Sequence, residues 1–96
     1  MSYLPININL NKKLVVIVGG GKVAERKALK LLTHHVKLKL ISPTITDHLL
    51  RLVETEKVLW IPETYEKQYL EDAFIIIAAT DNSEVNFQVY TDRQPN

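Results

Sequence analysis

Leu14-Val15-Val16-Ile17-Val18 runs without a break into Gly19-Gly20-Gly21, and a helix-patterned stretch from Lys22 to about Thr33 runs straight out of that turn. A strand apolar on both faces belongs in the middle of a parallel sheet, covered above and below. Strand, glycine turn and helix in this order are what a dinucleotide pyrophosphate site requires. Gly19 permits the tight turn, Gly21 lets the backbone approach the phosphates, and Ala24 fills the third small position, where helix packs on strand. The unpaired N–H groups at the helix start then face the anion. On its own this GxGxxA pattern is also met in βα turns that hold no ligand, so the rest of the chain has to agree with it.

The remaining segments continue the alternation. In the first helix Ala24, Ala28, Leu31 and Leu32 form one stripe, and Thr33-His34-His35 ends it. Val36, Leu38, Leu40 and Ile41 make a second strand with Lys37 and Lys39 on its wetter face, stopped by Ser42-Pro43. Thr44 is the expected cap of a second helix, with Asp47 three residues on and Ile45, Leu49, Leu52 and Val53 as its stripe. Val58–Ile61 reads as a short third strand with Trp60 in the core. Pro62–Asp72 is a polar connector with one helical turn near Tyr69, and Tyr65 and Tyr69 pack over it. Ala73–Ala79 is a fourth strand, broken by Thr80-Asp81-Asn82, and a last helix runs from about Ser83 to Thr91 with Val85 and Val89 on one side. Ahead of all this, Leu4, Ile6, Ile8 and Leu10 alternate with polar residues and Pro5, as a short extended lead-in at an edge does, and Asn11-Lys12-Lys13 turns the chain.

Such an order predicts an α/β fold: a Rossmann-like parallel sheet of strand order 3-2-1-4 with helices on both faces. The strand order reverses between strands 1 and 4, so the binding crevice lies beyond their C-terminal ends. Gly19–Val23 and Ala79–Asp81, distant in sequence, meet there.

Composition narrows the function classes. At 96 residues the chain reads as a single domain, 1–96. Lys and Arg number 12 against 11 Asp and Glu, a net charge of +1, so no surface for nucleic acid or membrane is expected. The absence of cysteine excludes disulfides, thiolate catalysis and a Cys-built metal site, and agrees with a reducing compartment. With no signal-like start and no apolar run near the roughly 20 residues of a membrane span, a cytoplasmic protein is expected. His34 and His35 sit at the far end of the sheet from the crevice and His48 is alone on a helix, so no metal site is assigned. Lys22 is either a positive charge beside the pyrophosphate or an exposed lysine of the first turn. Asp81 and Asn82 read as turn and cap residues. Asn86 is either in the cleft or on the helix surface.

Read together, Tyr3-Leu4-Pro5, Val18-Gly19-Gly20-Gly21-Lys22-Val23-Ala24-Glu25-Arg26-Lys27, Ile41-Ser42-Pro43-Thr44 and Ala78-Ala79-Thr80-Asp81-Asn82 with Asn86 resemble the N-terminal domain of sirohaem synthases, the precorrin-2 dehydrogenase family. The resemblance covers nearly the whole chain, and its VGGGxVAxRK and IAATDxxxVN stretches are more specific than the glycine pattern alone. It implies oxidation of precorrin-2, a tetrapyrrole, to sirohydrochlorin with NAD as hydride acceptor, and in many members iron insertion to give sirohaem. It further implies that Gly19, Gly20, Gly21, Lys22 and Val23 hold the pyrophosphate, that Ser42, Pro43 and Thr44 lie near the adenosine ribose, and that Thr80 and Asp81 line the nicotinamide side.

The family pattern continues into a fifth strand, a carboxylate tied to its chemistry and a helical dimerisation region, for which nothing after Asp92-Arg93-Gln94-Pro95-Asn96 offers a counterpart. Cofactor residues therefore carry over and no catalytic carboxylate does. The acidic residue that commonly binds the ribose of NAD after strand 2 is replaced by Ser42. Its hydroxyl is able to donate to a ribose oxygen or to a 2′-phosphate, no arginine stands beside it, and NAD rather than NADP is implied by the resemblance alone. With strand 4 at a sheet edge, a homodimer or other self-association is expected. The competing readings are a dinucleotide-sensing regulatory module of the kind that gates ion transport, which usually carries the acid missing here, and a nonfunctional remnant.

Overall fold

The computed structural model describes residues 10–93, so the lead-in expected over Leu4–Leu10 lies outside the described residues save for Leu10. The elements are β1 (Leu14–Val18), α1 (Lys22–Leu32), β2 (Lys37–Ile41), α2 (Asp47–Glu54), β3 (Leu59–Ile61), a 3-10 turn (Lys67–Leu70), β4 (Ile75–Ala78) and α3 (Ser83–Asp92). The four strands are all parallel and stand in the order β3-β2-β1-β4, as the alternation predicts.

β1 is the buried spine. Val15, Val16 and Ile17 are 0% exposed, because strands pair on both sides of them and side chains cover both faces. On one face Val15 and Ile17 pack with Leu38, Leu40, Ala24, Ala28 and Leu49, so α1 and α2 both lie there. On the other, Val16 and Val18 pack with Ile41, Leu70 and Val89, so α3 and the connector close that side. Ala24 and Ala28 are small where α1 crosses β1, which lets helix and strand approach closely. Lys37 is exposed on the second face, where the cover over β2 is thin. β4 is less buried than its composition suggests: Ile75, Ile76 and Ile77 are only half-buried, since among the described residues no strand lies beside one of its edges.

The second helix starts two residues later than its sequence implies. Thr46, not Thr44, is the cap: its hydroxyl oxygen accepts from Leu49 N–H at 3.2 Å. Ser42–Ile45 is occupied in crossing the glycine turn, with Thr46 N–H donating to the Gly20 carbonyl at 3.0 Å, and the helix begins only after that crossing. The Thr46 hydroxyl in turn donates to Glu25 Oε1 at 2.7 Å, which joins the N-terminal ends of α1 and α2.

At the other end of the sheet, each strand is preceded by a left-handed residue that is not glycine: Lys12 (φ 63°), His35 (φ 57°), Glu56 (φ 62°) and Asp72 (φ 64°). Two of them meet, Lys12 N–H donating to the His35 carbonyl at 3.0 Å.

Leu49 is the buried residue of α2 and is 0% exposed, so Leu49→Ala should lower stability by about 2–5 kcal/mol in urea unfolding. A loss below about 1 kcal/mol would mean that α2 is not seated on the sheet as described. The Thr46 hydroxyl, aided by the nearby Lys22, His48 and Arg51 charges, holds the Glu25 carboxyl below its ordinary 4.5 against an opposing effect of burial. A carboxyl lowered on folding stabilises the fold fully above its unfolded value and loses that contribution as pH falls through the folded one. The stability difference between wild type and Glu25→Gln should therefore be full well above pH 4.5 and shrink steadily below it in pH-stepped denaturation. A difference independent of pH would refute this coupling.

Candidate dinucleotide site

The register of the sheet brings three strand ends level. Val18 pairs with Ile41 on one side and with Ala78 on the other. The chain therefore leaves β1, β2 and β4 at one height, through Gly19, Ser42 and Ala79. Backbone bonds tie these exits together: Gly19 N–H to the Ile41 carbonyl at 2.9 Å, Ala79 N–H to the Val18 carbonyl at 2.8 Å and Ser42 N–H to the Ile61 carbonyl at 3.2 Å. Above them is a cleft of about 580 Å³, at the point where strand order reverses, in the size range of small-molecule sites.

All ten residues singled out from the sequence, Gly19–Val23, Ser42, Pro43, Thr44, Thr80 and Asp81, line this cleft. The three glycines have different reasons to be glycine. Gly19 has φ of 140°, and a Cβ there would stand 2.4 Å from the Ala79 carbonyl oxygen. At Gly20 a Cβ would stand 2.2 Å from the Thr44 carbonyl oxygen and 2.8 Å from Ser42 Oγ. Gly21 differs from both: its φ is −91°, open to any residue, and a Cβ would meet nothing within 4 Å. The fold does not require glycine at this position. What glycine preserves there is open space in front of the α1 N-terminus, whose cap carries no side chain to occupy its first N–H groups. Free N–H donors, the positive end of the helix dipole and a bare backbone together fit a dinucleotide pyrophosphate. Lys22, the first residue of the helix, is exposed beside them.

Across the cleft, Asn86 settles onto Thr80 instead of pointing into the cleft or lying idle on the helix surface. Its Oδ1 accepts from Thr80 N–H at 3.1 Å and from Thr80 Oγ1 at 2.7 Å, while its Nδ2 donates to the Thr80 carbonyl at 3.0 Å. Every polar group of Thr80 is thereby engaged within the protein, and the residue meets the cleft as a fixed wall. Asn82 is the cap of α3, accepting from the N–H groups of Glu84 and Val85 at 2.9 and 3.2 Å. Asp81 is exposed at the rim.

Thr64 and Tyr65 also line the cleft, and the sequence gives no signal for this. They belong to the connector, which has no periodicity to show which residues turn inward. Tyr65 Oη donates to Asp92 Oδ2 at 2.7 Å, which fastens the connector to the last turn of α3. Burial, with Asp92 beside it, raises the Tyr65 hydroxyl well above its ordinary value and keeps it protonated. Trp60 is half-buried against the core, and its indole Nε1 donates to the Ser42 carbonyl at 2.8 Å.

Comparison with known proteins agrees with this geometry. The chain is 41% identical over 90 residues to siroheme synthase 1 of Aeromonas salmonicida, which covers 94% of this chain but 19% of that protein. It is 37% identical over 92 residues to the precorrin-2 dehydrogenase of Bacillus subtilis, covering 96% of this chain and 57% of that one. The chain thus spans only part of the length of the curated relatives it matches. The solved structure of SirC, precorrin-2 dehydrogenase, superposes with a TM-score of 0.85 over 92% of this chain and 44% of that one, at 22% identity, and shares the fold. The family model described as "Putative NAD(P)-binding" matches residues 6–96, and to that NAD(P)-binding family this chain belongs.

Proposed function

We propose that this chain is the NAD-binding domain, residues 1–96, of a precorrin-2 dehydrogenase acting in sirohaem biosynthesis. The observation that carries the reading is Gly21, a glycine with no internal reason to be one, at the uncapped start of α1 in a cleft at the sheet's switch point. The names of the similar proteins supply the reaction.

In this reading Gly19, Gly20, Gly21, Lys22 and Val23 hold the pyrophosphate. Ser42, Pro43 and Thr44 border the adenosine ribose, and Thr80 and Asp81 form the wall on the nicotinamide side, with Asn86 keeping Thr80 in place. NAD, when bound, supplies the acceptor for the hydride removed from the tetrapyrrole precorrin-2. The chain's own part is to orient that acceptor: rigid strand ends, a helix N-terminus toward the anion and a clamped threonine opposite. No residue of this chain is assigned to move the substrate proton. The reading extends to a homodimer working in the cytoplasm. Its dimer part is supported by the edge of β4 that, among the described residues, has no strand beside it.

Two substitutions separate fold from binding. Gly21→Asp adds a good helix cap and a negative charge at the positive end of α1, so thermal unfolding should show stability unchanged or raised by up to about 1 kcal/mol. The same carboxylate stands where the pyrophosphate is held, so calorimetric NAD affinity should fall roughly a hundredfold or more. Gly19→Ala should instead destabilise the chain by about 1–3 kcal/mol, since it forces a side chain into a disfavoured, blocked position. NAD affinity untouched by Gly21→Asp would sink the proposal.

A further inference from the structure

The residue after β2 is where a dinucleotide-binding fold commonly reads the adenosine ribose, and Ser42 stands there with none of its hydrogen-bond donors free. Its N–H donates to the Ile61 carbonyl at 3.2 Å. Its hydroxyl donates to the Thr44 carbonyl at 2.7 Å. Its own carbonyl accepts from the Trp60 indole at 2.8 Å, so the residue is held from three sides. The sequence leaves the hydroxyl able to donate to a ribose or to a phosphate. In the fold its one proton is committed to Thr44, and the lone pairs of Oγ remain. Next to it the Thr44 carbonyl is a second oxygen that only accepts. Among the described residues that line the cleft, Lys22 is the one cation, and it stands on the glycine-turn side at the start of α1.

We infer that Ser42 is a specificity-determining residue that acts as a fixed hydrogen-bond acceptor, selecting a dinucleotide with a free ribose hydroxyl over one carrying a 2′-phosphate. The inference rests on the dinucleotide reading of the cleft. A ribose hydroxyl has a proton to give to Oγ. A 2′-phosphate brings only acceptor oxygens and negative charge up to Ser42 Oγ and the Thr44 carbonyl, both acceptors here, and among the described lining residues no cation stands on that side. Turning the Ser42 proton toward the phosphate would break the 2.7 Å bond that shapes the loop. Discrimination thus comes from repulsion and lost hydrogen bonds as much as from attraction. It also gives a reason why the acid expected at this position is dispensable: an oriented serine offers the same acceptor without the charge.

Calorimetric titration of the folded chain with NAD and NADP, for wild type, Ser42→Ala and Ser42→Asp, tests this. Wild type should bind NAD at least about tenfold more tightly than NADP. Ser42→Ala should weaken NAD about five- to tenfold and leave NADP almost unchanged, so the ratio collapses. Ser42→Asp, which keeps an acceptor there and adds charge, should restore or widen the preference. If NAD binds but the ratio is the same in wild type and Ser42→Ala, or if wild type prefers NADP, Ser42 does not select and the dinucleotide reading stands. If the folded wild type binds neither nucleotide, the dinucleotide reading falls and this inference with it.

Discussion

Everything at the cleft depends on how closely the glycine turn is approached by its neighbours. The Ala79 carbonyl lies against Gly19 and the Thr44 carbonyl against Gly20, each at a distance that leaves no room for a side chain. The turn is therefore wedged between the exits of β2 and β4, and the three loops take their positions from one another. A sheet register that levels the strand ends makes this wedge possible, and the wedge then aims the α1 N-terminus into the cleft. Gly21, held by none of these contacts, is the one glycine left facing outward.

The same arrangement explains the internal satisfaction of the cleft walls. A loop that must hold its shape without a ligand needs its polar groups paired, and Ser42, Thr80 and Asn82 are tied by bonds within their own loops and to Asn86 and Trp60. The helix start, with no side-chain cap, keeps its N–H donors for a ligand. Such division suits a site whose ligand arrives and leaves, because the walls need little reorganisation at each event.

Much of this was legible in the sequence because the informative residues are periodic or sterically unusual. The apolar run before the glycines could only be a central strand, and the repeated stripes of α1 and α2 could only face a sheet. The reversal of strand order then placed Thr80-Asp81 beside the glycine turn. What was not legible depends on distances between segments. Thr44 looks like a cap because it precedes an acidic residue and an apolar stripe, yet crossing Gly20 delays the helix to Thr46. Thr64 and Tyr65 carry no pattern, and only the packing of the connector brings them to the cleft. The direction of a hydroxyl proton at Ser42, or of the amide at Asn86, is set by neighbours that no linear spacing reveals. β4 reads like β1 in composition, and its half-exposed isoleucines reflect its place in the sheet and not its residues.

The chain has three glycines, all in one turn. The opposite end of the sheet accordingly makes its four tight reversals with Lys12, His35, Glu56 and Asp72, residues that adopt the left-handed region less readily than glycine or asparagine. The molecule is thus polarised along its strands: one pole has backbone freedom reserved for ligand chemistry, the other carries small conformational debts in exposed side chains. Replacement of those four residues by glycine or asparagine offers a route to greater thermal endurance that leaves the opposite pole untouched, so durability and recognition can drift independently in this fold.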